Sequence, residues 1–303
     1  MEVLIMLKQT IYFGNPAHLR LENKQLKITI KSEPPQEKSL PIEDIGVIII
    51  DHPQITITSG AIAELMNNNV ALIACNESYM PHALMLPFEG HHIQTQRMRA
   101  QISASEPLKK NLWMQTIQAK IFNQARLLEK QSITDHPLYN FAKDVKSGDT
   151  TNREAAAANY YWSKIFPNIP NFIREQKGDY PNNLLNYGYA ILRSVTARAL
   201  VSAGLFPSLG IYHHNKYNAY CLADDIMEPY RPYVDDLVIQ IMKKFPNKNE
   251  LDKELKKELL LIPQLDTKIE GETSPLFIAI QRTATSLAQC FLGEKKKLIY
   301  PKL

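Results

Sequence analysis

Residues 45–50 read Ile-Gly-Val-Ile-Ile-Ile, an apolar run with no polar side chain to mark a solvent-facing side. Such a run is typical of a β-strand that is buried on both faces. A second apolar run occupies residues 70–75, and residues 61–66 between the two have apolar side chains at helical spacing. Shorter alternating or β-branched segments precede them, at residues 9–13, 19–22 and 26–30. The first ninety residues therefore predict a β-rich domain with one short helix.

The pattern changes to helical spacing after Gly90. Between residues 107 and 130, apolar residues recur near the helical period, with basic and amide side chains between them. Ser147-Gly148-Asp149 interrupts this pattern, and a helix is expected to restart at about Arg153. Further helices are predicted at residues 182–203, 223–244, 250–260 and 275–293. The predicted fold class is α+β, with an N-terminal β-rich domain, residues 1–90, followed by an all-helical domain, residues 91–303.

The composition is typical of a soluble globular protein with two domains. The chain has 303 residues, of which 45% are hydrophobic and 22% charged. No apolar stretch approaches the roughly 18 residues of a membrane span. The three cysteines, Cys75, Cys221 and Cys290, are too far apart for a C-x-x-C metal site and too few for a disulfide framework. Residues 1–9 lack the features of a secretory signal and are read as strand sequence. We therefore expect a reduced, cytoplasmic protein with no membrane contact.

The charge is distributed unevenly between the two predicted domains. Residues 1–90 carry six Lys or Arg and ten Asp or Glu, a net charge of −4. Residues 91–303 carry 29 basic and 21 acidic side chains, a net charge of +8. A basic surface attracts polyanions, so the second domain is the expected site of any nucleic-acid contact. Charge alone leaves open whether nucleic acid is bound at all.

Several common catalytic designs are missing from the sequence. Neither G-x-x-x-x-G-K-[ST] nor G-x-G-x-x-G is present, which argues against nucleotide hydrolysis by a P-loop. The G-x-S-x-G elbow of many serine hydrolases is missing too.

The densest polar cluster lies in residues 210–232. On a helix, Asp225 and Glu228 are three residues apart, so both carboxylates are expected on one side. A histidine from the preceding loop would complete a site of nitrogen and oxygen ligands that suits Mg²⁺ or Mn²⁺. Because His213 and His214 are adjacent and point to different sides, at most one of them is expected in the site. The alternative is that the acidic residues only stabilise the start of a helix and that Glu228 is solvated.

Glu154 also has two interpretations. Thr151-Asn152-Arg153-Glu154 matches the S/T-x-x-E capping box, in which Glu154 would satisfy a backbone amide at the start of a helix. The other interpretation is that the carboxylate takes part in chemistry. The residues alone favour the cap.

The sequence resembles the CRISPR-associated adaptation integrases, the metal-dependent DNA endonucleases that insert new spacers, and it looks most like their type II branch. The resemblance runs nearly from end to end. It is most specific in the order of a glutamate, a G-x-x-H motif and a D-x-M-E-x-x-R-P motif, here Glu154, Gly210 to His213, and Asp225 to Pro232. Other matching segments are residues 42–47, 53–58, 105–113, 120–124 (Lys-Ile-Phe-Asn-Gln), 147–149 and 282–283.

The resemblance implies a set of site residues. Carried over residue by residue, the ligands of a Mg²⁺ or Mn²⁺ ion become Glu154, His213 and Glu228. Asp225, the first acid of its motif, becomes a fourth catalytic residue that supports the site or binds the ion intermittently. On this reading the capping role of Glu154 becomes the less favoured one.

The resemblance also implies an activity and partners. The expected reaction joins the 3′-OH ends of captured double-stranded DNA fragments to the CRISPR repeat by transesterification. Residues 1–90 would form most of a homodimer contact, residues 91–303 would bind DNA, and a small ferredoxin-like adaptation protein would be a further partner. The rival hypothesis is a catalytically silent helical nucleic-acid scaffold, for which no dependence on divalent ions is expected.

Overall fold

The computed structural model describes residues 8–30, 35–176 and 178–303. The chain divides into two units, the first ending at Gly90 and the second beginning at His91. Strands dominate the first unit and helices the second, so the predicted α+β class is confirmed. Most of the strand expected at residues 1–9 lies outside the described residues. No helix among those described is long and apolar enough to cross a membrane.

The first unit contains two four-stranded sheets and one helix. One sheet has the order β1-β5-β7-β8 and the other β4-β3-β2-β6. The elements are β1 (Gln9–Phe13), β2 (Ala17–Glu22), β3 (Gln25–Ile30), β4 (Gln36–Pro41), β5 (Ile45–Ile50), β6 (Thr56–Ile57), α1 (Ser59–Asn67), β7 (Ala71–Cys75) and β8 (Pro81–Met85).

The apolar run at residues 45–50 forms β5, a central strand as predicted. It lies between β1 and β7 and runs parallel to both, and its first five residues are buried. The core of the unit joins both sheets to α1, with Leu19, Ile48 and Leu65 among its members. Thr58 begins α1, and its hydroxyl accepts a hydrogen bond from the backbone of Ala61. Each buried run therefore occupies the middle of the fold, where its hydrophobic side chains leave water.

The second unit is built mainly of helices. Its elements are α2 (Gln94–Ile102), α3 (Glu106–Lys130), α4 (Leu138–Asp144), α5 (Arg153–Ile165), α6 (Asn182–Ser202), α7 (Cys221–Met227), α8 (Arg231–Lys244), α9 (Lys253–Leu259), β9 (Asp266–Ile269), β10 (Glu272–Pro275) and α10 (Leu276–Phe291).

Helix α6 is buried over most of its length. Gly188 lies where α6 approaches α8. A Cβ at this position would lie 2.6 Å from Cγ1 of Val234, so only glycine permits the close approach.

Four features of the second unit differ from the predictions. The helix expected over residues 223–244 is broken, because α7 ends at Met227 and a 3-10 turn, Glu228–Tyr230, precedes α8. Pro229 and Pro232 lack the amide hydrogens that a continuous helix requires there. The region expected to be all-helical also contains a hairpin of β9 and β10, and helices α2 and α4 were not predicted.

Candidate active site

Three elements of the second unit bring two carboxylates to one lysine. The ammonium of Lys120, on α3, lies 2.7 Å from Oε1 of Glu154, at the start of α5. It also lies 2.7 Å from Oε2 of Glu228, in the 3-10 turn after α7. The other oxygen of Glu228 contacts Nε of Arg231 at 2.9 Å. The side chains of Lys120 and Glu228 are only 11% and 6% exposed, so these charges interact with little screening by water.

The backbone that presents Glu154 is held by Asp149. One carboxylate oxygen of Asp149 accepts from the amide of Arg153 and the other from the amide of Glu154, both at 2.9 Å. Asn152 is the N-cap residue, with φ of 52°, and its side chain makes no capping hydrogen bond. The predicted capping box between Thr151 and Glu154 is therefore wrong, because the helix has Asn152 and not Thr151 as its N-cap. Because Asp149 satisfies the amides, the carboxylate of Glu154 is free to contact Lys120.

The loop that carries His213 wraps around the carboxylate of Asp225. One oxygen of Asp225 accepts from the amides of Ile211 and Tyr212, at 2.7 and 3.0 Å. The other oxygen lies 2.5 Å from Nδ1 of His213. Asp225 is fully buried. A Cβ on Gly210 would lie 2.4 Å from the carbonyl oxygen of His213 and 2.8 Å from Asp225, so the loop can close only with glycine at that position.

The ring of His213 is fixed on a second side by α3. Trp113 stacks on Tyr212, with 4.2 Å between centroids and 2° between planes. The same indole meets the His213 ring edge-on at 5.6 Å. Because Asp225 engages Nδ1, the nitrogen left for another ligand is Nε2. A carboxylate behind a ligating histidine is the common arrangement at metal sites.

The electrostatics of the cluster favour its charged forms. Burial would lower the pKa of Lys120, but Glu228 and Glu154 outweigh burial and the pKa is raised. Burial would raise the pKa of Glu228, but Arg231 and Lys120 together lower it. The pKa of His213 is raised, mainly by its hydrogen bond to Asp225, with smaller contributions from both glutamates. The influence of Glu154 and Glu228 on His213 indicates that all three lie in one electrostatic environment.

Asp225 and Glu228 contact different partners. Asp225 accepts from the loop at residues 211–213, whereas Glu228 pairs with Lys120. Burial raises the pKa of Asp225, although its bond to His213 opposes the shift. Its carboxylate holds His213 in place. His214 is exposed and lines a cleft together with His213.

Within residues 8–30, 35–176 and 178–303, no three His, Cys, Asp or Glu side chains form a group that is ready to hold an ion. The physical reason is local, since the ammonium of Lys120 lies between the two glutamates and Asp225 engages His213. Glu154 and Glu228 thus share one cation, the ammonium of Lys120, and both carboxylates act electrostatically on His213.

Sequence reasoning did not single out Lys120, Trp113 or Asn123. Lys120 and Asn123 both lie in the matching segment Lys-Ile-Phe-Asn-Gln, which was the only available signal. The amide of Asn123 donates to the carbonyl of Pro229 at 2.8 Å and so ties the turn that contains Glu228 to α3.

Residues 11–263 match the sequence profile described as "CRISPR associated protein Cas1". The chain belongs to the Cas1 family. It is 34% identical over 283 residues to the CRISPR-associated endonuclease Cas1 of Neisseria meningitidis serogroup C, a match that covers 93% of this chain and 91% of that protein. The family predicted from the sequence is therefore confirmed, while the type II branch stays a prediction.

Solved structures share the Cas1 fold. A casposase bound to its integration product superposes with a TM-score of 0.80 at 23% identity, over 97% of this chain and 92% of that one. A Cas6-RT-Cas1–Cas2 complex gives a TM-score of 0.76 at 19% identity, over 100% of this chain and 37% of that one. At these identities the likeness shows the fold.

Proposed function

We propose that this Cas1-family chain is a divalent-metal-dependent DNA endonuclease and integrase of CRISPR adaptation. It would join the 3′-OH ends of captured DNA fragments to the repeat by transesterification, and hydrolysis would follow when water replaces the hydroxyl. One observation carries the proposal: Glu154 and Glu228, from separate elements, share one cation, and both carboxylates act electrostatically on His213.

The side chains fit a divalent ion. Two carboxylates and one imidazole nitrogen are hard ligands of the kind that Mg²⁺ and Mn²⁺ accept. Lys120 places a positive charge where the carboxylates converge, which makes its ammonium a stand-in for the ion. Oε2 of Glu228 is in a side chain that is only 6% exposed, and the cation that it contacts is this ammonium, so an ion bound here would replace a protein cation. Glu154, Glu228 and Nε2 of His213 would hold the ion.

The protein's own groups prepare this site for phosphoryl transfer. When bound, the ion supplies charge that stabilises the reacting phosphate and favours ionisation of the attacking hydroxyl. Nδ1–H of His213 donates a hydrogen bond to Asp225, and in this tautomer the lone pair of the neutral ring is on Nε2. Trp113 prevents rotation of the ring, and Arg231 neutralises the second oxygen of Glu228. Phosphoryl transfer needs little more than positioning and charge stabilisation of this kind.

We also propose the assembly in which this chemistry takes place. The excess of basic residues after Gly90 favours double-stranded DNA as the ligand of the second unit. A homodimer through residues 1–90 and a small ferredoxin-like partner complete the proposal. The Cas6-RT-Cas1–Cas2 complex supports the partner, because its Cas1 portion shares this fold and is associated with Cas2.

A strand-transfer assay tests the chemistry. A labelled DNA fragment and a supercoiled repeat plasmid are incubated with the full-length protein while Mg²⁺ or Mn²⁺ is titrated. Glu154→Ala, His213→Ala and Glu228→Ala should each abolish cleavage and strand transfer, because each removes one of few ligands. DNA binding should persist, since it depends on many dispersed contacts with phosphates.

Two variants serve as matched controls. His214→Ala removes the neighbouring imidazole, and Glu258→Ala removes a carboxylate that pairs with Lys244 outside the site. Both should retain turnover. Normal strand transfer by any of the three site variants, or full activity in a chelator, would refute the proposed metal site. A wild-type protein that binds DNA but neither cleaves nor joins it at any ion concentration would favour the silent scaffold.

A further inference from the structure

Lys120 occupies the point at which the two proposed metal-binding carboxylates converge. Its ammonium donates a hydrogen bond to Oε1 of Glu154 and lies at 2.7 Å from Oε2 of Glu228. The second contact also joins opposite charges, in side chains that are only 11% and 6% exposed. A divalent ion carries twice the charge of the ammonium, so it can replace the ammonium between the two oxygens.

The cluster needs a positive charge at all times. Two carboxylates that approach one another in a poorly solvated site repel strongly unless a cation lies between them. Arg231 is committed to the other oxygen of Glu228, so it does not serve Glu154 in the same way. Lys120 is the residue whose ammonium contacts both. A divalent ion bound by Glu154 and Glu228 would compete for the same two oxygens.

The side chain of Lys120 is suited to leaving this position. It extends from the middle of α3, and Ile117 and Ile121 nearby on this helix are fully buried, so the backbone is anchored. The flexible four-carbon stem allows the ammonium to swing while the helix stays in place. The structure thus combines a fixed attachment with a movable charge.

We propose that Lys120 is a positioning residue that holds the place of the divalent ion in the metal-free protein and is displaced from the carboxylates when the ion binds. This inference rests on the proposed metal site. It follows that the lysine keeps the two carboxylates together and stabilises the metal-free protein. It also weakens metal binding, because the ion must first displace the ammonium.

Lys120→Met tests this role in the full-length protein, since it removes the charge and keeps much of the apolar stem. Calorimetric titration with Mn²⁺ measures affinity, and melting with EDTA or with saturating Mn²⁺ measures stability. The metal-free variant should melt below the wild type, whereas Mn²⁺ should raise its melting temperature by more than it raises that of the wild type. The variant should bind Mn²⁺ roughly ten times more tightly.

Lys130→Met is the matched control. Lys130 lies on the same helix and pairs at 2.8 Å with Asp236, outside the cluster, so its loss should leave Mn²⁺ affinity unchanged. Lys120→Arg keeps the charge and should bind Mn²⁺ no more tightly than the wild type. If Lys120→Met does not fold, Lys120→Gln takes its place in both measurements.

The outcomes separate the two proposals. A wild-type protein that does not bind Mn²⁺ refutes the metal site itself. A wild type that binds Mn²⁺, beside a Lys120 variant with equal or weaker affinity and the same loss of melting temperature with and without Mn²⁺, refutes the placeholder role and leaves a structural ion pair.

Discussion

At the scale of single residues, Asp149 and Glu154 have different roles at the start of α5. We expect the loss of Asp149 to lower stability and the loss of Glu154 to lower activity. Asp149 accepts from two amides at the start of α5, so Asp149→Ala should cost about 1 kcal/mol of stability. Glu154→Ala leaves Lys120 paired with Glu228 and removes no partner of a backbone amide, so it should cost less stability than Asp149→Ala. Thermal melting of both variants, beside strand transfer, measures the difference.

Glu154→Ala should be inactive per folded molecule because it removes a proposed ligand. The Asp149 variant should keep Mn²⁺ binding once it is folded. A Glu154 variant that loses as much stability as the Asp149 variant, yet remains active, would show that the role of Glu154 is purely structural.

Gly210 offers a second test at this scale. A methyl group at this position would collide with the carbonyl of His213 and with Asp225, so Gly210→Ala should displace the loop. We expect a loss of about 1–3 kcal/mol in unfolding free energy and weaker Mn²⁺ binding by His213. Gly60→Ala is the control, because nothing lies within 4 Å of the added atom, and helix propensity favours alanine by up to about 1 kcal/mol. Urea denaturation measures the loss of unfolding free energy, and calorimetry measures Mn²⁺ affinity. A Gly210→Ala variant unchanged in both would show that the loop tolerates a methyl group.

The sequence indicated most of the proposed site but not what lies between its members. Spacing alone favoured a cap for Glu154 and left open whether Glu228 joins Asp225 and a histidine in a metal site or is solvated. Only the resemblance added Glu154 to that site. The capping box failed because the amides of α5 found a partner upstream, in Asp149, where no sequence rule placed one. Periodicity gave no signal for Lys120, because it shows which face of α3 is buried but not which carboxylates another element brings to that helix.

At the scale of elements, strongly patterned segments were predicted well and polar ones were not. The apolar run of β5 and the long stripe of α3 lie where predicted. Strand β4 is largely exposed and helix α2 has Gln101 as its buried residue, so neither has an apolar pattern to read. The β9–β10 hairpin did leave a signal in the sequence, which is Gly271. The two-residue loop Glu270-Gly271 has positive φ at both residues, and glycine adopts such values readily.

The packing of α5, α6 and α8 places a carboxylate where water cannot reach it. Asp235 of α8 accepts hydrogen bonds from Tyr161 of α5 and Tyr189 of α6. Burial raises the pKa of Asp235 to about 6, even though both hydroxyls, Arg231 and Arg174 oppose the shift. The ionised carboxylate is thus less favoured in the folded protein than in the unfolded chain.

The sign of the resulting pH dependence follows directly. Between about pH 4 and pH 6 the folded protein binds a proton that the unfolded chain has lost, so the contribution of Asp235 to stability falls as the pH rises. The unfolding free energy of the wild type relative to that of Asp235→Asn should be about 2 kcal/mol higher at pH 4 than at pH 7, as measured by urea denaturation at both pH values. A difference that does not change with pH would show that Asp235 titrates normally.

At the scale of the whole molecule, the uneven charge predicts where DNA affinity is located. A groove between α3 and the C-terminal segment is lined by Lys295, Lys296, Lys297, Lys302 and Arg126, and none of its lining residues is acidic. The three consecutive lysines are exposed. Such a surface suits phosphates, whose binding releases counterions and therefore weakens as salt is added.

Simultaneous Lys295→Gln, Lys296→Gln and Lys297→Gln substitutions should weaken duplex binding and reduce the log–log salt slope by about 2 to 3 units, since each phosphate contact contributes about 0.9. Removing an equal number of lysines from the acidic first unit, at Lys24, Lys27 and Lys38, should change the slope little. Fluorescence anisotropy with one labelled duplex at several salt concentrations provides both slopes. Mn²⁺ affinity should stay at the wild-type value in both variants, because neither set contacts Glu154, His213 or Glu228. Equal slopes for the two triple variants would mean that DNA affinity does not follow the division of charge between the two units.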